Sequence, residues 1–311
     1  MSFSIDILKL PYQAQAATLN QMELLELFLV STLSKRSKMM VGASSHQNYL
    51  LKVSSIGEIW LQRGRETLRV VVHNYNEHWA GLPKIFNTIP VRIKDNVYVY
   101  GVDCILMGFF LVHFAQAFNQ PPVTFFSKDE ITMGAYLHLM QNMRLEVTYG
   151  LFYITRSFFL QAILDNCHEK VEIICDEPLD FEYETPVSLE MISIREPGWL
   201  QIHEITKLFM NCRIVLIWGP GWYHIYEIIE FLDAWVDGSR IEQAELPCYH
   251  HEDISFVARF MVAWSVDSVK LEETIRIPKA YMIEQATTGK KAVVYFDQDK
   301  FCLNTRFQLF G

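Results

Sequence analysis

The stretch RIVLIWGPGWYHIYEIIEFL, Arg213 to Leu232, carries the repeating theme of the chain. Ile214 to Trp218 is a short apolar run rich in β-branched residues, which predicts a strand. Gly219-Pro220-Gly221 breaks the run, and a helix-like segment follows. A strand feeding a glycine turn and a helix N-terminus is also the layout of a dinucleotide-binding turn. The G-x-G-x-x-G/A fingerprint fits at Gly219 and Gly221 but meets His224 where a small residue is needed. Pro220 removes one backbone N–H from such a loop. Glu242 stands 21 residues past Gly221, near where a ribose-binding acid would lie. Two readings stay open here: a nucleotide site using Gly219 and Gly221, or a turn that uses glycine for its dihedral freedom.

The same alternation extends in both directions. CILMGFFLVHFAQAF precedes PPVTFF, DEITMGAYLHLMQN precedes MRLEVTY, and TRSFFLQAILDNC precedes VEIIC. VSLEMISI comes next, then LQIHEITKLFMN before the quoted strand, and the quoted helix before QAEL. Strand centres fall at Val123, Leu145, Ile173, Met191, Leu216 and Ala244, separated by 22, 28, 18, 25 and 28 residues. Leucine-rich repeats recur every ~20–29 residues. Such units stack to bury apolar faces that none can bury alone. The predicted fold class is α/β: a leucine-rich-repeat-like βα stack, with a parallel sheet and helices on one side. A doubly wound sheet is the rival. After YMIEQ, turns at Thr288-Gly289-Lys290-Lys291 and Asp297-Gln298-Asp299-Lys300 predict a C-terminal β-meander capping the stack. Before the stack, IWLQRGRETLRVVVHN and VRIKDNVYVYGV read as hairpins.

Composition sets limits. The chain has 311 residues, half of them apolar and 20% charged, so a packed core is expected. A net charge of −9 argues against a general nucleic-acid binder. Residues 104–127 carry no formal charge, but only CILMGFFLV is densely apolar. That is short of the ~20 residues a membrane helix needs. A buried helix and a chain with no membrane partner are expected. Six scattered cysteines with no C-x-x-C pair predict reduced thiols in an intracellular protein, cytoplasmic or nuclear. CYHHED, Cys248 to Asp253, holds metal-ligand chemistry, but Asp253 reads more simply as a helix N-cap before ISFVARFMVAW. No metal, cofactor or catalytic residue is nominated. The abundant aromatics are expected mostly in the core, with a minority on an exposed sheet face.

The first forty residues differ from the rest. Leu10-Pro11 opens a helical pattern, and Leu19, Met22, Leu25, Phe28 and Leu29 recur at mixed three- and four-residue steps. Residues 42–48, GASSHQN, read as a linker. Leu10-Pro11, Leu19, Met22, LLELFLVS and Leu33-Ser34-Lys35-Arg36 together resemble an F-box. The tryptophan that often follows the lysine is absent, and leucine replaces the usual Asp-Pro or Asp-Leu helix start after Glu23. Further on, Trp199, Leu208, Asn211-Cys212, Phe231-Leu232-Asp233-Ala234-Trp235-Val236-Asp237-Gly238 and the segment around Gly289-Lys290-Lys291-Ala292 look like the F-box-associated domain of nematode F-box proteins.

The resemblance implies a non-catalytic substrate receptor of an SCF-type cullin–RING ubiquitin ligase. An F-box over residues 1–45 would dock on a Skp-family adaptor and through it on a cullin. A hairpin region over 46–103 would connect it to a substrate-binding domain over 104–311, which would hold an unknown protein. Leu10, Pro11, Leu19, Met22, Leu27, Phe28 and Leu33 are expected to face or support the adaptor. Trp222 and Tyr223 are expected to contact the substrate. A repeat-type binding scaffold without ligase coupling is the alternative, and the nucleotide-dependent enzyme a further one.

Overall fold

The computed structural model describes residues 9–44, 48–73, 82–94, 96–101, 103–175, 183–198, 200–219, 223–248, 254–266, 269–271, 275–277 and 279–309. The chain is mixed α/β and divides into two compact units, Met1–Gly150 and Leu151–Gly311.

In the first unit, α1 (Tyr12–Gln21), α2 (Leu24–Leu33) and α3 (Lys35–Ser44) lead into a sheet. Its strands are β1 (Tyr49–Ser54), β2 (Glu58–Arg63), β3 (Glu66–His73), β4 (Lys84–Ile85), β5 (Ile89–Ile93) and β6 (Val97–Tyr100). There follow α4 (Asp103–Ala117), β7 (Val123–Ser127), α5 (Glu130–Asn142) and β8 (Val147–Ile154), which straddles the division at residue 150. Strand order is β8-β7-β1-β2-β3-β6-β5-β4. Both expected hairpins form, β2–β3 around Gly64 and Arg65, and β5–β6 with Ile93 opposite Val97. Leu51, Val53, Ile59, Leu61 and Val70 are buried on one face, as strand alternation dictates, and α4 packs against β2 and β3.

Two expectations about organisation are corrected. Position 103/104 is not a break, because β1 pairs in parallel with β7 from Leu51↔Val123 to Ser54↔Phe126. The hairpins therefore share a sheet with the first strand of the expected repeat region. The linker expected at residues 42–48 is also shortened, because α3 runs through Gly42 to Ser44. A Cβ at Gly42 would lie 3.3 Å from the carbonyl oxygen of Gln116, so glycine lets α3 approach α4. Residues 45–47 lie outside the described ones.

In the second unit, α6 (Ser157–Asn166), β9 (Cys167–Cys175), β10 (Met191–Arg195), α7 (Ile202–Leu208), β11 (Ile214–Trp218), α8 (Ile225–Asp237) and β12 (Gln243–Pro247) alternate much as the spacing predicts. Strands β9 to β12 pair in parallel. Ile228, Phe231, Leu232 and Trp235 recur at helical spacing and are the buried stripe of α8. The Trp235 indole N–H donates to the Ile241 carbonyl at 3.1 Å, fixing the turn into β12. The predicted meander is β16 (Ala280–Glu284), β17 (Lys291–Asp297) and β18 (Lys300–Asn304), with β18 antiparallel to β12.

The segment ISFVARFMVAW does not form one helix. A 3₁₀ turn at Ile254–Phe256 and α9 (Val257–Phe260) are followed by β13 (Trp264–Val266), which pairs with β16. Trp264 to Val266 gain a strand neighbour there, which outweighs their weak helical pattern. The expected Asp253 cap and the other acids and histidines of CYHHED lie outside the described residues. Finally β14 (Val269–Leu271), β15 (Ile275–Ile277) and β19 (Gln308–Leu309) make a small sheet. Among the described residues no helix is long and apolar enough to cross a membrane.

Candidate functional site

Three helices of ten residues each cannot bury many leucines among themselves. Here they bury them against their own unit. Phe28 is fully buried, stacked on Phe114 at 5.5 Å and near Phe110 and His113 of α4. Leu19 and Leu27 are buried as well. Met22 and Leu10 are half-buried. Arg63 on β2 donates to the Met22 carbonyl at 2.7 Å, tying the α1–α2 turn to the sheet. Leu19, Leu27 and Phe28, expected to face or support the adaptor, are buried in the fold, so of the two roles only support is open to them. Pro11, the N-cap of α1, is exposed, and Leu33 at the α2–α3 corner is 73% exposed. Tyr12 and Met39 are also largely exposed.

That corner opens into a cavity of about 430 Å³ between α2, α3, α4 and the β4–β5 turn. Ser34 caps α3: its hydroxyl accepts from the Ser37 N–H at 3.1 Å, and the Ser37 hydroxyl accepts from the Ser34 N–H at 2.9 Å. The Lys38 ammonium donates to Gln116 at 2.6 Å. Phe86 and Asn87 sit at φ +52° and +63°, in the left-handed region that a bulky residue seldom enters. Such conformations cost on the order of 1–3 kcal/mol. Edge contacts of the Phe86 ring with Phe109 at 4.8 Å and His113 at 4.7 Å hold the turn in place.

His113 is 4% exposed. The Ser31 hydroxyl lies 2.6 Å from the Phe28 carbonyl and 2.8 Å from His113 Nε2, so it ties the histidine to α2. Burial, then the charge of Lys38, pushes its pKa down to about 3. A lone histidine in an apolar run is the only trace of this cavity in the sequence.

The second unit offers a different surface. Ile192, Ile194, Val215, Ile217, Ala244 and Leu246 are buried on one sheet face, and Phe231 of α8 meets Phe301 of β18 at 6.5 Å. On the opposite face the small sheet covers Val293, Tyr295 and Cys302. Met191, Ile214, Leu216 and Trp218 stay half-exposed on that opposite face. The Lys300 ammonium sits 3.5 Å from the Trp218 ring centroid and 3.2 Å from Glu245. Such a cation over an indole face is attracted by the ring quadrupole. Arg195 pairs with Glu172 at 3.6 Å, and Arg213 pairs with Glu190 at 2.5 Å. An apolar centre with an aromatic anchor and a charged rim has the anatomy of a protein-binding patch. The period-two spacing of Ile214, Leu216 and Trp218 was the signal for it. The glycine turn beside Trp218 points to Trp222 and Tyr223 instead.

Trp222, with Pro220 and Gly221, lies outside the described residues, as does Trp199. Tyr223 is 6% exposed and donates its hydroxyl to the Leu200 carbonyl at 2.7 Å. Burial, then the charges of Glu227 and Glu204, pushes its pKa up. The substrate-contact role expected of Tyr223 is thus corrected: it packs inward. Gly219 has a structural demand of its own. The Glu196 N–H donates to the Trp218 carbonyl at 2.6 Å, and a Cβ at Gly219 would lie 2.8 Å from the Glu196 backbone. Glu227 accepts from the His224 N–H at 2.7 Å, placing a carboxylate at the N-terminus of α8 where a phosphate would bind. Glu242 is held by Arg306 at 2.9 Å. Comparison of the chain with family models, with curated proteins and with solved structures gives no match.

Proposed function

We propose that the chain is the substrate-recognition subunit of an SCF-type cullin–RING ubiquitin ligase. It would dock on a Skp-family adaptor through its N-terminal helices and hold a protein substrate with its second unit. The observation that carries this reading is the exposed Leu33 beside Ser34, Lys35 and Arg36, on the F-box-like stretch. Pro11 and Tyr12 add exposed surface on α1. Large apolar side chains left in water on short helices suit a partner. In the second unit, parallel strands carry one covered and one half-exposed face. That supports a repeat-like stack with Trp218 at its binding surface. The chain would act by proximity, raising the effective concentration of substrate lysines near activated ubiquitin.

Co-purification of the full chain with a Skp-family adaptor tests this reading. The intact chain should bind, and Leu33→Glu should abolish binding without altering thermal stability. Failure of the intact chain to bind sinks the proposal. Full-length protein is required, because removing residues 1–45 would uncover Phe110 and Phe114. The burial of Leu19, Leu27 and Phe28 favours a second reading, a binding scaffold without ligase coupling. Its signature is a protein partner lost on Trp218→Ala, with no adaptor contact.

A further inference from the structure

The sheet of the first unit has a second face that the N-terminal helices do not use. Leu51, Val53, Ile59, Leu61 and Val70 are buried on the helix side, so the alternate positions of the same strands point away from it. Directly opposed residues share a face, and the register joins Lys52 to Trp60, Trp60 to Arg69, and Ser54 to Phe126. On β3, β6 and β5 it joins Val71 to Tyr98, His73 to Tyr100, and Tyr98 to Arg92. Trp60, Tyr98, Tyr100 and Phe126 are all half-buried there. Tyr149 of β8 meets Phe126 edge-on at 5.9 Å. The His73 ring is 5.7 Å from both Tyr98 and Tyr100, tilted 25° and 24° to them. Between Trp60 and Phe126 the face sinks into a cavity of about 330 Å³, also lined by Lys52, Ser54, Gln62 and Thr67.

The same face is cationic. Lys52, Arg69 and Arg92 lie on it, and Lys84 joins them by pairing with Pro90, two residues before Arg92. Glu58 is the sole carboxylate among the described strand positions of this face. Arg69 holds it, with the guanidinium 5.7 Å from the Trp60 ring centroid. Lys52, Lys84 and Arg92 have no ion pair among the described residues. Three uncommitted cations thus stand among aromatic rings, on a chain of net charge −9. The overall charge opposes nucleic acid as a whole-surface partner, and this face reverses it locally.

Cations interleaved with rings match a polymer that alternates phosphates with flat bases, and a single strand leaves its bases free to stack. An acidic peptide would engage the cations but bring nothing flat to the rings. From β7 to β6 the face spans four strand spacings, about 19 Å, which is room for a few nucleotides. Gln62 donates its amide to the Gly64 carbonyl at 3.1 Å, so its carboxamide oxygen remains an acceptor beside the Ser54 and Thr67 hydroxyls. Such groups suit a ribose 2′-hydroxyl.

We propose that this face binds single-stranded RNA. Bases would stack on Trp60, Tyr98 and Phe126, and phosphates would meet Lys52, Lys84 and Arg92. A 2′-hydroxyl would enter the cavity at Gln62. The helices pack on the other side of the sheet, so this reading does not rest on adaptor docking.

Fluorescence anisotropy of the full chain with a labelled, unstructured RNA of about fifteen nucleotides is the test, a length within the ~4–16 of single-strand sites. At ~50 mM salt the Kd should be micromolar or lower. The same strand annealed to its complement should bind at least about tenfold more weakly, because its bases can no longer stack on the protein. DNA of the same sequence should also bind more weakly. Three phosphate contacts give log K against log salt a slope of about −2, and Lys84→Gln/Arg92→Gln should bring it to about −0.7. Both side chains are exposed, so that variant keeps the fold. Trp60→Leu should weaken binding about tenfold with the slope unchanged, and its urea midpoint shows that it is folded. The proposal is overturned if no single strand binds at about 100 μM, or if duplex or DNA binds as tightly as the RNA. It is equally overturned if a polyglutamate peptide displaces the RNA as well as unlabelled RNA does, or if the double variant keeps the slope.

Discussion

Gly219 and Gly64 both adopt positive φ, +135° and +58°, yet their neighbours differ. A Cβ at Gly219 would sit 2.8 Å from backbone atoms of Glu196, whereas nothing lies within 4 Å at Gly64. Gly64→Ala should therefore cost only the conformational penalty of about 1 kcal/mol. Gly219→Ala adds a backbone clash and should cost about 2–4 kcal/mol in urea denaturation. Equal losses at the two sites would refute the close-approach account of Gly219. His113 gives the second prediction at this scale. Its pKa falls from 6.5 to about 3 on folding, through burial and then the charge of Lys38. Between those values the unfolded chain binds more protons than the folded one. The contribution of neutral His113 is complete above pH 6.5 and is lost as pH falls toward 3. The slope is at most about 1.4 kcal/mol per pH unit. His113→Asn should flatten the pH dependence of the urea midpoint between pH 6 and 4. An unchanged slope would assign that dependence to other groups.

Local elements were legible where a short-range signal decides them. The β-branched run Ile214 to Trp218 and the stripe Ile228, Phe231, Leu232, Trp235 predict β11 and α8 without help from the rest of the chain. Strand centres at Val123, Ile173, Met191, Leu216 and Ala244 all fall within strands, and Leu145 lies two residues before β8. Long-range placement was not legible. No local pattern says that β1 pairs with β7 across a separation of about seventy residues, nor that Gly42 serves a helix crossing. The same limit explains the candidate sites. Leu19, Leu27 and Phe28 read as a face awaiting or supporting a partner because the sequence does not reveal that the fold buries them, Phe28 against Phe114 of α4. Tyr223 read as exposed because it follows a turn, yet its hydroxyl reaches Leu200. Trp218 was visible as one residue of a strand, while the cation over its ring comes from Lys300, far along the chain.

At the scale of the whole molecule, the division at residue 150 has a chemical consequence. Cys167, Cys175, Cys212, Cys248 and Cys302 are buried thiols outside any disulfide, and all lie in the second unit. Burial pushes the Cys167 thiol up, the Cys212 thiol up to about 11 and the Cys302 thiol up to about 12. For Cys302 the charges of Glu245 and Asp297 add to burial. Only the thiolate attacks a disulfide reagent, so these groups are protected twice, by access and by protonation. In a Cys104→Ser background, native protein at pH 8 should therefore give no rapidly reacting thiol. Because Cys167 and Cys175 lie in β9 and Cys302 in β18 of one sheet, loss of that sheet exposes them together. Thiol labelling along a urea gradient should rise in one step, at the midpoint of the second unit's own unfolding. A thiol that reacts at a free-cysteine rate in native buffer would show that its strand opens locally, and that the sheet from β9 to β18 is not a single cooperative layer.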